Sequence, residues 1–309
     1  MTNARLVYVD SFAAPPLAGN PAAVLRLDRE PSDGLGARIG AELDQPATAV
    51  LWPGGEPGRF GLRWFTATSE LALCGHGTLA AARVLLDGGF GVAGRVRFDT
   101  RAGLLDAYAA GDWVQLRLPR LAPEPVAEPQ LASALRGLLA VPVAEVLRTE
   151  LDLVAVLRSP AEVRAAQPDL AALRALPARG LIITAAGPGA GDGAAALAGT
   201  AAAAALAEDG AAEGDAVGGG AAGGGPDGAA DFVSRFFAPA TGIGEDAVTG
   251  SAHCALGPYW IGVLGRQPLT GHQVSARGGI IRVATDEDSV LLTGPAVVRQ
   301  ELSWPLPDA

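Results

Sequence analysis

Two stretches of this 309-residue chain follow a single plan, and that repetition limits the folds open to it more than any other feature. RWFTATSELALCGHGTLAA, from Arg63, and RFFAPATGIGEDAVTGSAHCAL, from Arg235, each give an Arg-aromatic-Phe strand, a loop, and a Gly opening a helix of small residues. A repeated strand, loop and helix predicts two similar halves. A two-fold-like arrangement of those halves brings the helix starts, at Gly75 and Gly250, together at one cleft.

Short apolar or alternating runs punctuated by Pro and Gly predict strands at 6–9, 22–25, 49–52 and 62–65, and a hairpin over 103–119 turning at Gly111 and Asp112. The helix expected over 77–86 has no polar periodicity and reads as buried. Pro-rich LAPEPVAEP, from Leu121, marks the expected boundary between a first domain, 1–120, and a second, 125–286, with 287–309 returning to the first. In the second, helices are expected at 130–139, 161–166 and from Ser251, and strands at 180–184 and 231–237. Residues 185–230 are almost wholly Ala and Gly, too poor in large apolar groups to offset the entropy of ordering. They read as a disordered insertion, with 194–207 helical because alanine is the best helix former.

Apolar residues make up 49% and charged residues 18%, which suits a compact globular chain. No apolar run approaches the roughly 20 residues of a membrane span, and the opening MTNARLVYVDSF lacks the basic-then-apolar plan of a signal peptide, so a cytoplasmic location is expected. A net charge of -10 without any dense basic block argues against nucleic acid. The sequence contains no lysine, which rules out a Schiff-base lysine and a lysine-bearing phosphate loop. Two cysteines, Cys74 and Cys254, make no disulfide framework. Three histidines without H-x-x-x-H or C-x-x-C spacing lead to an expectation of no metal.

Helix starts present unpaired amides and the positive end of the peptide dipole, so they take carboxylates readily. Thr249, Gly250 and Ser251 lie at one such start, and Cys74, Gly75 and His76 at the other. Facing one another, they would clamp a small anionic substrate. The plain alternative is two capped helices, each cap worth about 1 kcal/mol. Cys74 is either packing or a thiol made acidic by the helix start. His76 beside Asp246 is either a proton relay or structural. Asp246, read as part of a tight loop before the helix, is the strongest functional candidate, whereas His253 and Cys254 lie inside the helix as packing. Matching Gly75 to Gly250 sets Thr249 opposite Cys74 and leaves Cys254 about one turn deeper, which disfavours a two-thiol racemase.

VYVDSFAAPPLAGNPAAVL, LRWFTATSELALCGHGTLAAARVL, FVSRFFAPATGIGEDAVTGSAHCALGPYW and QVSARGGIIRV together resemble the phenazine-biosynthesis PhzF-like family, related in fold to diaminopimelate epimerase and proline racemase. The resemblance implies an α+β fold of two similar domains, each a curved, mostly antiparallel sheet or barrel around a central helix, with the active site between them. It also implies a cytoplasmic homodimer using no metal or organic cofactor, and an isomerase in which a carboxylate moves a proton and shifts a double bond. His76, Asp246 and Ser251 match positions that contact substrate or relay protons, and Gly75, Thr249 and Gly250 match the helix starts. Asn20 and Gly77 complete the expected substrate-binding set, and Cys74 joins His76 and Asp246 as expected catalytic groups. The expected ligand is a small anionic unsaturated acid or amino acid.

The resembled pattern places its base, a glutamate, in a Ser-Glu-Thr-Ala stretch after a short helix. Here ARIGAELDQ leads into PATA, so Ala47 occupies that position, with Glu42, Asp44 and Gln45 nearby. A methyl group takes no proton, whereas a positioned base contributes about 10²- to 10⁴-fold. Three readings follow. The base has moved to Asp246, His76 or Cys74 in an isomerase of bacterial secondary or antibiotic metabolism; the cleft performs other acid-base chemistry, such as epimerisation, dehydration or hydrolysis; or the protein binds a small acid without turning it over.

Overall fold

The computed structural model describes residues 3–15, 18–191 and 230–306. The helix expected over 194–207 and most of the Ala/Gly-rich insertion lie outside the described residues. The first half of the chain forms β1 (Asn3–Ser11), β2 (Asn20–Arg26), α1 (Asp33–Leu43), β3 (Thr48–Pro53), β4 (Arg59–Phe65), β5 (Glu70–Leu71), α2 (Gly75–Asp87), β6 (Arg95–Thr100), β7 (Gly103–Ala110) and β8 (Trp113–Pro119). Then come β9 (Glu124–Pro125), α3 (Pro129–Leu139), β10 (Glu145–Arg148), β11 (Asp152–Val156), α4 (Pro160–Ala165), α5 (Leu170–Leu173) and β12 (Gly180–Ala186). The chain closes with β13 (Phe232–Ala238), β14 (Ile243–Asp246), α6 (Gly250–Leu264), β15 (Leu269–Gln273), β16 (Gly279–Thr285) and β17 (Ser289–Pro305).

The sequence repeat returns as a repeat of strand order. β2 runs parallel to β3, β3 antiparallel to β4, and β4 parallel to β6. In the same sense β11 runs parallel to β12, β12 antiparallel to β13, and β13 parallel to β15. Side chains repeat too. Arg63 on β4 grips Glu70 through Nε and Nη2 and stands 5.0 Å over Phe65; Arg235 on β13 grips Glu245 likewise and stands 4.8 Å over Phe237. Each ion pair ties a strand to the short strand that leads into a helix.

Helix α2 packs against β1, β2, β3, β6, β7 and β8, and its residues Gly75 to Ala82 are all buried. α6 lies against β15, β16 and β17 with Gly250 to Gly257 buried. Helices enclosed on all sides carry no polar stripe, which is why both sequences read as small and apolar throughout. Pro258 inside α6 has no N–H for the Cys254 carbonyl, and Leu121 N–H fills that acceptor at 3.2 Å. LAPEPVAEP is therefore anchored rather than free, and its Glu124–Pro125 pairs with β10. Over Ser289–Pro295 β17 pairs with β8, with β16 joining at Val290 to Thr293, and over Ala296–Pro305 it pairs with β1.

Two local expectations change. Ala185 and Ala186 belong to β12, because pairing with Val233 and Phe232 overrides the weak strand preference of alanine. Asp246 ends a short strand, paired with Phe236, rather than lying in a loop.

Candidate active site

The starts of α2 and α6 meet backbone to backbone. A Cβ built on Gly75 would lie 3.0 Å from the Gly250 Cα, and one on Gly250 would lie 3.1 Å from the Gly75 Cα. A side chain at either position would force the two helix starts apart by a few tenths of an ångström. The helices' N-cap residues are Cys74 and Thr249, so those two, and not the cysteine pair, are the opposed positions. Cys254 is buried within α6. A cleft of about 730 Å³ opens where the helix starts meet, walled on its apolar side by Leu71, Leu73, Phe236 and Ile243.

Asp246 is held by both halves of the chain. Its Oδ1 accepts from Asn20 Nδ2 at 2.8 Å and its Oδ2 from Thr249 Oγ1 at 2.5 Å. A carboxylate offers about four lone-pair positions, so these two bonds leave two open on a residue that lines the cleft. Gln273 fixes the turn beneath: its Nε2 donates to the Asp246 carbonyl, and its Oε1 accepts from Thr249 N–H, each at 2.8 Å. Asn20 is fixed in turn by a donation to the Val248 carbonyl at 2.8 Å. The preceding Gly19 has φ +66°, and a Cβ there would lie 2.3 Å from the Ser11 carbonyl oxygen, so only glycine delivers Asn20 to this place.

Because the Thr249 hydroxyl is engaged by Asp246, α6 has no side-chain cap on its first amides. Thr249, Gly250 and Ser251 at that start line the cleft. Beside them Arg179 donates from Nε and Nη2 to the buried Asp152, at 2.9 and 2.5 Å, and from Nη2 to Ser251 Oγ at 2.9 Å. Its guanidinium carbon stands 5.3 Å over the Phe236 ring. Of its five N–H donors, the two on Nη1 have no partner among the described residues. The α6 start and Arg179 thus line the cleft side by side, joined through Ser251.

His76 and Cys74 flank Asp246 as neutral groups. Burial lowers His76 below the usual histidine range, and the Asp246 charge only partly opposes this. Its Nδ1 lies 3.3 Å from Asn20 Nδ2 and 3.6 Å from Cys74 Sγ. Of the two readings of Cys74, burial favours packing over an acidic thiol. Burial pushes it up to about 12, outweighing the Gly77 amide that donates to its sulfur, and the nearby Asp246 charge raises it further. At neutral pH it is a protonated group, not a base. The Gly77 amide donates to Cys74 Sγ, and a Cβ on Gly77 would lie 2.9 Å from Trp64 Cδ1.

Ala47 is fully buried beside Gly77, and Pro46 and Cys74 form the cleft wall at that point. Glu42 points outward from α1, exposed. Asp44 and Gln45 do line the cleft, although the Gln45 amide is turned back onto the Leu43 carbonyl at 3.1 Å. Among the described residues no group of three or more His, Cys, Asp or Glu side chains converges as a metal site requires.

His253 supports the site from behind. Its Nδ1 donates to the Thr249 carbonyl at 2.8 Å, which fixes the tautomer, and burial lowers it to about 4. A buried neutral histidine binds fewer protons than its unfolded counterpart once pH falls below the ordinary value of about 6.5, so stability is lost on acidification. The melting temperature is expected to fall between pH 7 and 4, and more shallowly in His253→Asn, whose amide keeps the donation but does not titrate. Thermal melts across that range, wild type against variant, check this.

Sequence reasoning missed Arg179, Asp152 and Gln273. Nothing in ARGLIITA distinguishes Arg179 from a surface arginine ahead of a buried strand.

A family model described as phenazine biosynthesis-like protein, PhzC-PhzF, matches residues 9–301. An uncharacterized isomerase of Pseudomonas aeruginosa is 37% identical over 290 residues, 94% of each chain. The crystal structure of a PhzF-family phenazine biosynthesis protein from Enterococcus faecalis aligns with a TM-score of 0.77 at 30% identity, over 99% of this chain and 100% of that one. A hydroxyproline epimerase from Agrobacterium vitis, solved with trans-4-hydroxy-L-proline, shares the fold at a TM-score of 0.53 and 14% identity, over 99% and 93% of the two chains. The expected family and the α+β epimerase-like fold are both borne out.

Proposed function

The chain belongs to the phenazine biosynthesis-like family, and from that premise we propose that it is an isomerase of a small unsaturated carboxylic or amino acid, with Asp246 as the base. The observation that carries this reading is the Asn20–Asp246–Thr249 array, which holds a carboxylate with open lone pairs in the cleft that the α6 start and Arg179 also line. The substrate carboxylate sits on the α6 amides and the free edge of Arg179. Asp246 takes a proton from the allylic carbon, and the charge that develops spreads onto the bound carboxylate, where amides and guanidinium are already in place. A proton then returns at the far end of the allylic system from the neutral cluster of Asp246, His76 and Cys74. Atoms balance, and only the double bond has moved.

Asn20 Oδ1 is buried with no hydrogen-bond partner, an acceptor that an amino or hydroxyl group on the substrate would satisfy. Unsaturated cyclic amino and hydroxy acids are therefore the compounds to test, reading double-bond position by NMR. Arg179→Lys keeps a cation for the buried Asp152 but loses the fork. Loss of a hydrogen bond to a charged group predicts a KM raised roughly 10- to 100-fold with kcat little changed. Steady-state kinetics on any compound turned over would show it, and an unchanged KM would remove Arg179 from carboxylate binding.

A further inference from the structure

The turn between β15 and β16 brings a second arginine to the cleft. Arg277 lines it together with Asn20 and Pro21. Its Nε donates to the Gly19 carbonyl at 2.7 Å, and its Nη2 donates to the Ala18 carbonyl at 2.9 Å and to Asp10 Oδ1 at 3.2 Å. Those bonds use three of its five N–H donors, and the two on Nη1 have no partner among the described residues. Its charge is not cancelled either. Asp10 also pairs with Arg299 at 3.3 Å, so one carboxylate stands against two guanidiniums. None of the cleft-lining acids Asp44, Glu245 and Asp246 bonds to Arg277, and Glu245 is held by Arg235.

Arg179 is left in the same condition, with Nη1 unpartnered, and Asp246 stands between the two arginines along one run of contacts. Arg179 donates to Ser251 at 2.9 Å, two residues on from Thr249, which donates to Asp246. Asp246 in turn accepts from Asn20 at 2.8 Å, and Asn20 follows Gly19, whose carbonyl Arg277 holds. We propose that the substrate is a dicarboxylic acid whose second carboxylate is bound by Arg277. The proposal rests on the reading of Arg179 and the α6 start as the place of the first carboxylate. The reacting carbon at Asp246 then lies between two anchored ends, which fixes the carbon presented to the base. A cleft of about 730 Å³ is in the range that takes ligands much larger than a single carboxylate.

Calorimetric titration with α,ω-diacids from succinate to suberate and with trans,trans-muconate, each beside its monomethyl ester, tests this without turnover. It therefore does not depend on Asp246 being the base. At least one diacid is expected to bind the wild type about 10-fold more tightly than its ester, the low end for a bond to a charged group because the Arg277 side chain is 42% exposed. Arg277→Gln is expected to abolish that preference and leave the ester affinity unchanged, and Arg179→Lys to weaken diacid and ester alike. A wild type without the preference would overturn the proposal. A preference that survives in Arg277→Gln, whether or not both affinities fall, would reduce Arg277 to a brace for the loop at Gly19 and overturn it as well. Esters that bind Arg179→Lys as tightly as the wild type would instead overturn the carboxylate reading of Arg179.

Discussion

Asp246→Asn is expected to lower kcat/KM by about 10²- to 10⁴-fold, the contribution of one positioned base, while the fold persists. The substitution keeps the shape and removes the proton acceptor. It also exchanges one of two acceptors for a donor, so Asn20 Nδ2 keeps its acceptor while the Thr249 hydroxyl must turn from donating to accepting. The Thr249 proton loses its carboxylate acceptor, at a cost of about 1–3 kcal/mol. Removing the charge also takes away the influence that raises His76, making that imidazole harder still to protonate. The measurement pairs kcat/KM with a denaturant midpoint, so that loss of chemistry is separated from loss of stability. A variant of wild-type activity would return the search for the base to Asp44 or His76.

Gly250→Val is expected to have the next largest effect. The Cβ alone would lie 3.1 Å from the Gly75 Cα, tighter than the two backbones allow without moving apart, and the valine methyls add to the crowding. Overpacking of this kind costs about 1–3 kcal/mol. The larger effect falls on turnover, because the α6 amides, Asp246 and His76 are set by the same contact, and a displacement of 1 Å at a reacting centre is worth about 10²-fold. Gly262→Ala on the same helix is the control: nothing lies within 4 Å of its built Cβ, so the better helix former is expected to stabilise by about 0.5–1 kcal/mol. Equal effects at the two glycines would show that the contact with Gly75 is not what matters.

The fold was legible because the repeat is written locally. Arg63 and Arg235, with their following Phe residues and Gly-led helices, occur in the same order in both halves, and the structure turns each into the same strand, ion pair and helix. Asp246 and Thr249 were legible as neighbours in one stretch. Asn20 was placed in the site by resemblance, but its bond to Asp246 spans 226 positions, and no local pattern encodes it. Arg179 was invisible for a related reason, since only the buried Asp152 and the approach of Ser251 distinguish it. The Cys74 thiol shows a local rule overruled: a helix start favours thiolate, but complete burial weighs more. Ala47 could be noticed from sequence as a missing glutamate, but not that Pro46 and Cys74 would form the cleft wall beside it.

The most direct measurement is solvent exchange. The wild type and Asp246→Asn are incubated in D₂O with unsaturated cyclic amino and hydroxy acids, and deuterium incorporation and double-bond position are followed by NMR. An isomerase based on Asp246 predicts a product with a shifted double bond carrying solvent deuterium, both lost in the variant. Compounds that bind the cleft yet neither exchange nor isomerise, or exchange at the wild-type rate in Asp246→Asn, would contradict it.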